Sequence, residues 1–304
     1  MTSPKVTILA NPYARRARHF NPGVALSYLE SHGYQAHYET PLGVEEFHKS
    51  AKKAADRGDE ILFVFGGDGT LRIAAGALSG SQTAFAALAG GTTNVWVREM
   101  HIPFDPHKAI ETHLNGQRTK IDLGRANGEP FILMAGIGWD AEIASHVASG
   151  LKRRLGVASY VLYGIPLIPL LKTSRISWST AEESFSDQTA IIIVSNTRSY
   201  GGMVSFTPEA NATDGLLNIC ALNPRGIRDV IGLSTSLLRS KLPDDNRVIR
   251  VNSKELHIDS SGHWFQVDGD VIGRTPLTVE IEECALLVSV PRGELPAVIR
   301  YSAR

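Results

Sequence analysis

Two glycine-rich strings expose the side-chain-free backbone that phosphate chemistry uses: Gly66-Gly67-Asp68-Gly69-Thr70 and Gly90-Gly91-Thr92-Thr93-Asn94. Each follows a short apolar run, Ile61 to Phe65 and Ala84 to Leu88, and each leads into a helical pattern. A strand that breaks into consecutive glycines and restarts as a helix leaves N–H groups bare, and at a helix N-terminus such groups bind anions. Two of these loops, 24 positions apart, suit a polyphosphate held by neighbouring loops. Asp68 conflicts with phosphate unless a cation intervenes, so it reads as a magnesium position, direct or through water. The pattern points to a nucleotide-using phosphotransferase. The plainer alternative is a tight strand–helix turn whose glycines satisfy positive φ and whose Asp68 is an N-cap. Glycine on both sides of Asp68 is more than a cap requires.

A second acidic string, Asp268-Gly269-Asp270, sits among strand patterns. Asp-Gly favours a two-residue hairpin, and such a turn can also aim two carboxylates at a substrate. A hydroxyl acceptor has a pKa far above neutral, so a positioned carboxylate could take its proton as the bond to phosphorus forms.

Other chemistries are absent from the chain. It contains no G-x-x-x-x-G-K-[ST] string and no H-R-D or D-F-G set, so the phosphates need a different scaffold. The histidines are scattered without zinc-ligand spacing. Lys+Arg and Asp+Glu number 31 each, which argues against a nucleic-acid partner held by phosphate neutralisation. Cys220 and Cys284 each lie in apolar, strand-like surroundings and are expected to be buried free thiols.

The elements that must position these groups change character along the 304 residues. Through about residue 120, short apolar runs alternate with helical patterns. They give strands at 6–10, 61–65 and 84–88, and helices at 24–32, 44–57, 71–78 and 94–100. Repeated βα units imply a mostly parallel sheet, with ligands beyond the carboxyl ends of its strands. Asn11 to Arg16 and both glycine loops would fall there. After Lys120, strand patterns dominate: 131–135, 190–194, 216–222, 248–251, 256–258, 264–267, 277–281 and 286–290. Helical patterns interrupt them at 141–172 and 227–239. The economical reading is an antiparallel β domain over 122–292 and an α/β domain over 1–121, with the tail 293–304 packing back on the latter.

In order along the chain, these strings resemble the bacterial lipid-kinase family that shares its catalytic domain with diacylglycerol and sphingosine kinases. Asn11-Pro12, Gly66 to Thr70, Gly91-Thr92-Thr93-Asn94 and Asp122 match first. Gly136-Ile137-Gly138-Trp139-Asp140-Ala141, Lys152-Arg153-Arg154-Leu155-Gly156, Gly201-Gly202-Met203, Asp214-Gly215 and Gln266-Val267-Asp268-Gly269-Asp270 follow. The resemblance implies a Rossmann-like, phosphofructokinase-like nucleotide domain, a C-terminal β-sandwich, and an active site in the cleft between them. It implies ATP and Mg²⁺, with γ-phosphoryl transfer to a lipid hydroxyl, diacylglycerol the leading acceptor and phosphatidic acid its product. Asn11, Arg16, Gly66, Gly67, Asp68, Gly69, Thr70, Gly91, Thr92, Thr93 and Asn94 would hold the nucleotide. Asp68, Asp122, Asp214 and the carbonyl of Leu217 would serve metal, while Asp268 would be the base, with Asp270 orienting it or the metal. The chain differs from the family pattern in having Tyr13-Ala14-Arg15-Arg16 where a glycine and a lysine are usual, and Val95 where many members have aspartate. NAD kinase shares the first glycine string, and a silent lipid- or nucleotide-binding protein is the rival outside the enzymes.

No stretch approaches the ~20 apolar residues of a membrane span. The opening segment is too short for a signal peptide, so a cytoplasmic protein is expected, peripheral at the inner membrane face. The run Lys152 to Arg154, followed by apolar Tyr160 to Leu171, suits reversible contact with anionic headgroups and equally a packed connector. A homodimer is compatible with all of this.

Overall fold

A computed structural model describes residues 3–139, 141 and 173–299. The chain divides into two compact units, one of residues 1–123 with 283–304 and the other of residues 124–282.

The first unit is an α/β layer structure. Its elements run β1 (Lys5–Ala10), α1 (Pro22–Ser31), β2 (Gln35–Glu39), α2 (Val44–Asp56), β3 (Ile61–Gly66), α3 (Asp68–Leu78), β4 (Ala84–Ala89), α4 (Val95–Glu99) and α5 (Pro106–Leu114). The strands pair in parallel in the order β2-β1-β3-β4. Residues 61–66 and 84–89 are buried along their whole length, as strands covered on both faces must be. This is why both read as unbroken apolar runs. Two helices start on strong local signals. Asn21 accepts the N–H groups of Gly23 and Val24 ahead of Pro22, and Asp105 accepts those of His107 and Lys108 ahead of Pro106. The cap at Asn21 begins α1 two residues before the expected Val24.

The long strand β5 (Gln117–Ala126) carries the chain out of the first unit, and β16 (Leu277–Val290) carries it back. Val288 of β16 pairs in parallel with Phe85 of β4. The two strands expected at 277–281 and 286–290 are therefore one, continuing through Cys284 at φ 51°. Cys284 itself is exposed rather than buried, because the left-handed residue disrupts the alternation of faces. Cys220 is buried, and burial pushes its thiol up to about 12. After β16, a short helical turn, Ala297–Ile299, buries Val298 and Ile299.

The second unit is an antiparallel β-sandwich. After β6 (Glu129–Phe131) and β7 (Met134–Gly138) come β8 (Ser174–Ser179), β9 (Ser184–Thr189), β10 (Ile191–Ser195) and β11 (Leu217–Leu222). Helix α6 (Ile227–Leu238) precedes β12 (Val248–Ser253), β13 (Glu255–Ile258), β14 (Trp264–Val267) and β15 (Asp270–Arg274). One sheet runs β12-β11-β10-β7-β14-β15; the other pairs the first part of β16 with β13, then β8 and β9. Between them lies a core that includes Phe131, Ile137, Ile176, Trp178, Val194, Ile219, Leu256, Phe265 and Val279. The expected strand 131–135 is broken at Ile132 and Leu133, for a reason that belongs to Asp268. The helical pattern at 141–172, with the basic run 152–154, lies outside the described residues apart from Ala141. Among the described residues no helix is long and apolar enough to cross a membrane.

One buried group gives the first unit a pH-dependent stability. His113 in α5 is 1% exposed, its Nε2 lies 3.0 Å from the carbonyl oxygen of Ala87, and burial lowers its pKa to about 4. The unfolded chain binds this proton near pH 6.5. The stabilisation is thus complete above pH 6.5 and is lost as pH falls toward 4. Urea unfolding at pH 7 and pH 4.5 is expected to show a loss of about 2 kcal/mol from this group. The variant His113→Gln should lack that component, and equal pH slopes in both proteins would contradict the assignment.

Candidate active site

Three loops at the carboxyl ends of β1, β3 and β4 are locked together in the first unit. The Gly90 and Gly91 N–H groups both donate to the Gly66 carbonyl, at 2.8 and 3.1 Å. The Asn11 N–H donates to Phe65 O at 2.9 Å, and its side-chain amide donates to Thr70 Oγ1 at 3.0 Å. The Arg16 N–H reaches the Gly90 carbonyl at 3.0 Å. This closeness explains the glycines better than backbone angle does. A Cβ on Gly90 would lie 2.8 Å from the Gly66 backbone, and one on Gly91 would lie 2.7 Å from the Gly67 Cα. A Cβ on Gly66 would meet Thr70 Cβ at 2.4 Å. Both glycine strings therefore exist first to let two loops touch.

Touching loops bring two helix starts side by side. Gly67 precedes α3 and Asn94 precedes α4. The first-turn N–H groups of α3 have no partner within their own helix. With Gly67 and Gly69 bare beside them, they form a cradle of the kind that accepts phosphate oxygens. Asp68 is not the N-cap of its own helix. Its Oδ1 accepts the Trp96 N–H at 3.3 Å and so ties α3 to the start of α4. Burial raises its pKa, and backbone donors from Val95, Trp96 and Asn94 offset part of that rise. An adjacent cation would relieve the same penalty, which fits Asp68 to a metal associated with phosphate.

Other expected nucleotide residues divide by role. Asn94 is fully buried at φ 49°, with its side chain accepting from Gly91 N–H and donating to Gly91 O, each at 2.9 Å. It shapes the second loop from within. Thr92 is exposed at its tip and Thr93 is half-buried. Of the two arginines, Arg15 reaches this loop, donating to Thr92 Oγ1 at 3.3 Å. The guanidinium of Arg16 turns instead to the Phe104 carbonyl and ring. Either arginine could stand in for the family's lysine on a phosphate; of the two guanidinium groups, that of Arg15 is the one on Thr92. Val95 is buried at the start of α4, where its apolar side chain belongs to the core.

Asp122, 1% exposed on β5, accepts the Cys284 N–H at 2.8 Å, which fastens β5 to β16 within the first unit. In the second unit, Asp214 accepts the Leu216 N–H at 3.0 Å, beside Leu217 at the start of β11. Among the described residues, no group of three His, Cys, Asp or Glu side chains could hold a metal ion. That is compatible with magnesium, which takes few carboxylates and completes its shell with water and phosphate oxygens.

Asp268 and Gly269 form the two-residue turn between β14 and β15, at φ 47° and 87°. Both angles are left-handed, as the Asp-Gly hairpin turn requires. The Asp268 carboxylate accepts three backbone N–H groups, Ile132 at 2.9 Å on Oδ2, and Leu133 and Met134 at 3.0 Å on Oδ1. Its own N–H donates to Met134 O at 3.0 Å. This clamp is what breaks the expected strand at Ile132 and Leu133. Nothing in the apolar string Phe131 to Ala135 could reveal that a carboxylate 136 positions away would take its amides. Both Asp268 oxygens thus take backbone donors, which hold the hairpin turn to residues 132–134. Asp270 is half-buried at the start of β15, two residues along the same hairpin.

Comparisons with known proteins identify the two units. Residues 5–126 match the diacylglycerol kinase catalytic domain, and residues 134–290 match the YegS C-terminal NAD kinase beta sandwich-like domain. A diacylglycerol kinase of Bacillus subtilis is 28% identical over 255 residues, covering 83% of this chain and 84% of that protein. One from Staphylococcus epidermidis is 25% identical over 257 residues, covering 83% and 81%. The crystal structure of a diacylglycerol kinase from Bacillus anthracis superposes with a TM-score of 0.73 at 20% identity, covering 96% of this chain and 98% of that one. Another structure from that organism gives a TM-score of 0.80 at 23% identity, covering 96% and 97%. At such identities the superpositions speak for the fold. The two domain matches run consecutively and together take in most of the 304 residues, and the relatives matched along the same span are diacylglycerol kinases, so the chain belongs to the diacylglycerol kinase family and is a lipid kinase.

Proposed function

We propose that this lipid kinase uses ATP with Mg²⁺ and transfers the γ-phosphoryl group to the hydroxyl of diacylglycerol, giving phosphatidic acid for phospholipid synthesis. The observation that carries the nucleotide half is the contact of the two glycine loops. Cβ clearances of 2.7 and 2.8 Å are compatible only with glycine, and they set two helix starts side by side. Gly66, Gly67, Gly69, Thr70, Gly91, Thr92 and Thr93 would line the phosphates, with Asn11 and Asn94 holding the loops in shape. Arg15, whose guanidinium reaches the second loop, would meet a phosphate oxygen. Asp68 would hold magnesium, directly or through water, and the ion supplies charge neutralisation on the phosphates. Asp214 and the Leu217 carbonyl are offered as a separate structural metal position, and Asp122 as a supporting member of an aspartate–water–metal network.

Asp270 is assigned as proton acceptor for the lipid hydroxyl, with Asp268 fixing the hairpin from which it projects. The protein would work at the cytoplasmic membrane face. The test is a transfer assay with γ-labelled ATP and mixed micelles of diacylglycerol, monoacylglycerol, phosphatidylglycerol or a sphingoid base, alongside free NAD. Label is expected in the organic phase with diacylglycerol, lost on chelation and restored by Mg²⁺. Label in NAD alone would make the chain an NAD kinase. ATP binding without turnover on any acceptor would make it a silent binding protein.

A further inference from the structure

We propose that helix α6 and its two flanks form the surface on which this protein rests against an anionic membrane. The inference builds on the lipid-kinase reading, since an acceptor with acyl chains has to be met at a bilayer. Three large apolar side chains of this helix lie in water: Ile227, Ile231 and Leu238 are 52%, 54% and 57% exposed. At 3.6 residues per turn they fall within about 40° of one another, a single stripe along the helix. Val230 and Leu233 are buried on the side turned to the protein. The stripe is therefore no part of the buried core. Apolar residues clustered in this way on a surface mark something that covers them.

The charges around the stripe identify the occupant. Arg225 and Arg228 stand at one end of α6, Arg239 and Lys241 at the other, and all four are exposed. Over residues 225–241 these four cations face a single carboxylate, Asp229. That carboxylate is already engaged, taking the Arg225 N–H at 3.0 Å and the Arg247 guanidinium at 3.1 Å. Nearby Asp245 and Asp244 are paired with Arg247 and Arg250, at 2.6 and 3.7 Å. An apolar stripe with basic residues at both ends matches a helix lying in the headgroup layer, its stripe in the acyl boundary and its cations on anionic lipids. A second copy of the chain suits it less. Because both ends are basic, pairing two such helices face to face sets cation against cation in either direction.

The experiment is vesicle sedimentation of the full chain without nucleotide or acceptor, so that it is independent of turnover. Vesicles of phosphatidylcholine with phosphatidylglycerol are expected to bind the protein, and phosphatidylcholine alone to bind it weakly. High salt should release it. The double variants Ile231→Asp with Leu238→Asp, and Arg228→Glu with Lys241→Glu, should each lower partitioning at least about tenfold. Both should keep the unfolding temperature and the turnover on a short-chain, water-dispersed diacylglycerol. Should the aspartate pair fail to fold, the glutamate pair tests the same surface from exposed positions. The proposal is overturned if both pairs sediment like the parent, if uncharged vesicles bind equally well, or if light scattering shows a dimer that the variants dissociate. Loss of all turnover with vesicle binding intact would count against the kinase reading and not against this surface.

Discussion

Gly91→Ala is expected to remove lipid phosphorylation by at least about a hundredfold and to lower stability by roughly 1–3 kcal/mol, the range for forcing an extra methyl into packed structure. The added Cβ would lie 2.7 Å from the Gly67 Cα and 3.1 Å from Asn94 Oδ1. Backbone on one side and a doubly bonded, buried amide on the other cannot step aside. The loops must part, and the neighbouring helix starts part with them. Gly90→Ala meets the same obstacle, at 2.8 Å from the Gly66 N and Cα. Gly67→Ala separates structure from binding. Its Cβ would sit 3.5 Å from the Gly91 Cα, an ordinary contact, at φ −89°, which alanine adopts freely. That variant should keep its unfolding temperature while losing ATP affinity, because the new methyl occupies the space of the phosphates. Calorimetric titration with ATP and thermal unfolding on all three proteins check this. Unchanged ATP affinity in a stable Gly67→Ala protein would remove the cradle from the mechanism.

The two aspartates of the hairpin should fail in opposite ways. Asp270→Asn is expected to lower kcat by about 10² to 10⁴, the usual contribution of a positioned base, with ATP affinity and unfolding temperature near the parent's. Asp268→Asn should destabilise the second unit by roughly 2–3 kcal/mol. An amide cannot accept three N–H groups on two oxygens, and bonds to a charged acceptor are worth about 1.5–3 kcal/mol each. Activity would fall with folding and return partly at low temperature. A fully stable Asp268→Asn protein with abolished kcat, beside an active Asp270→Asn, would return the base role to Asp268.

Much of this molecule is legible in its residues because the signals are local. A strand buried on both faces must be apolar throughout, so 61–65 and 84–88 announce themselves. Asn21-Pro22 and Asp105-Pro106 are local caps of this kind, although the apolar pattern by itself gives no helix over 106–114. The Asp268-Gly269 hairpin follows from the left-handed angles that only such residues take easily. Order along the chain makes the family recognisable before any coordinate is known.

What the chain order could not supply is which distant groups spend one another's hydrogen bonds. Asp268 looks like a base in a string of letters. Only the fold shows its carboxylate taking amides from Ile132, Leu133 and Met134. Arg15 and Arg16 are neighbours in sequence, yet one guanidinium reaches Thr92 and the other Phe104. Cys284 reads as buried until a left-handed residue turns it outward. Local propensity is a property of a few adjacent residues, and it specified the elements. Partnership depends on which lone pairs and N–H groups the tertiary contacts bring within 3 Å, and those were decided only when the chain closed on itself.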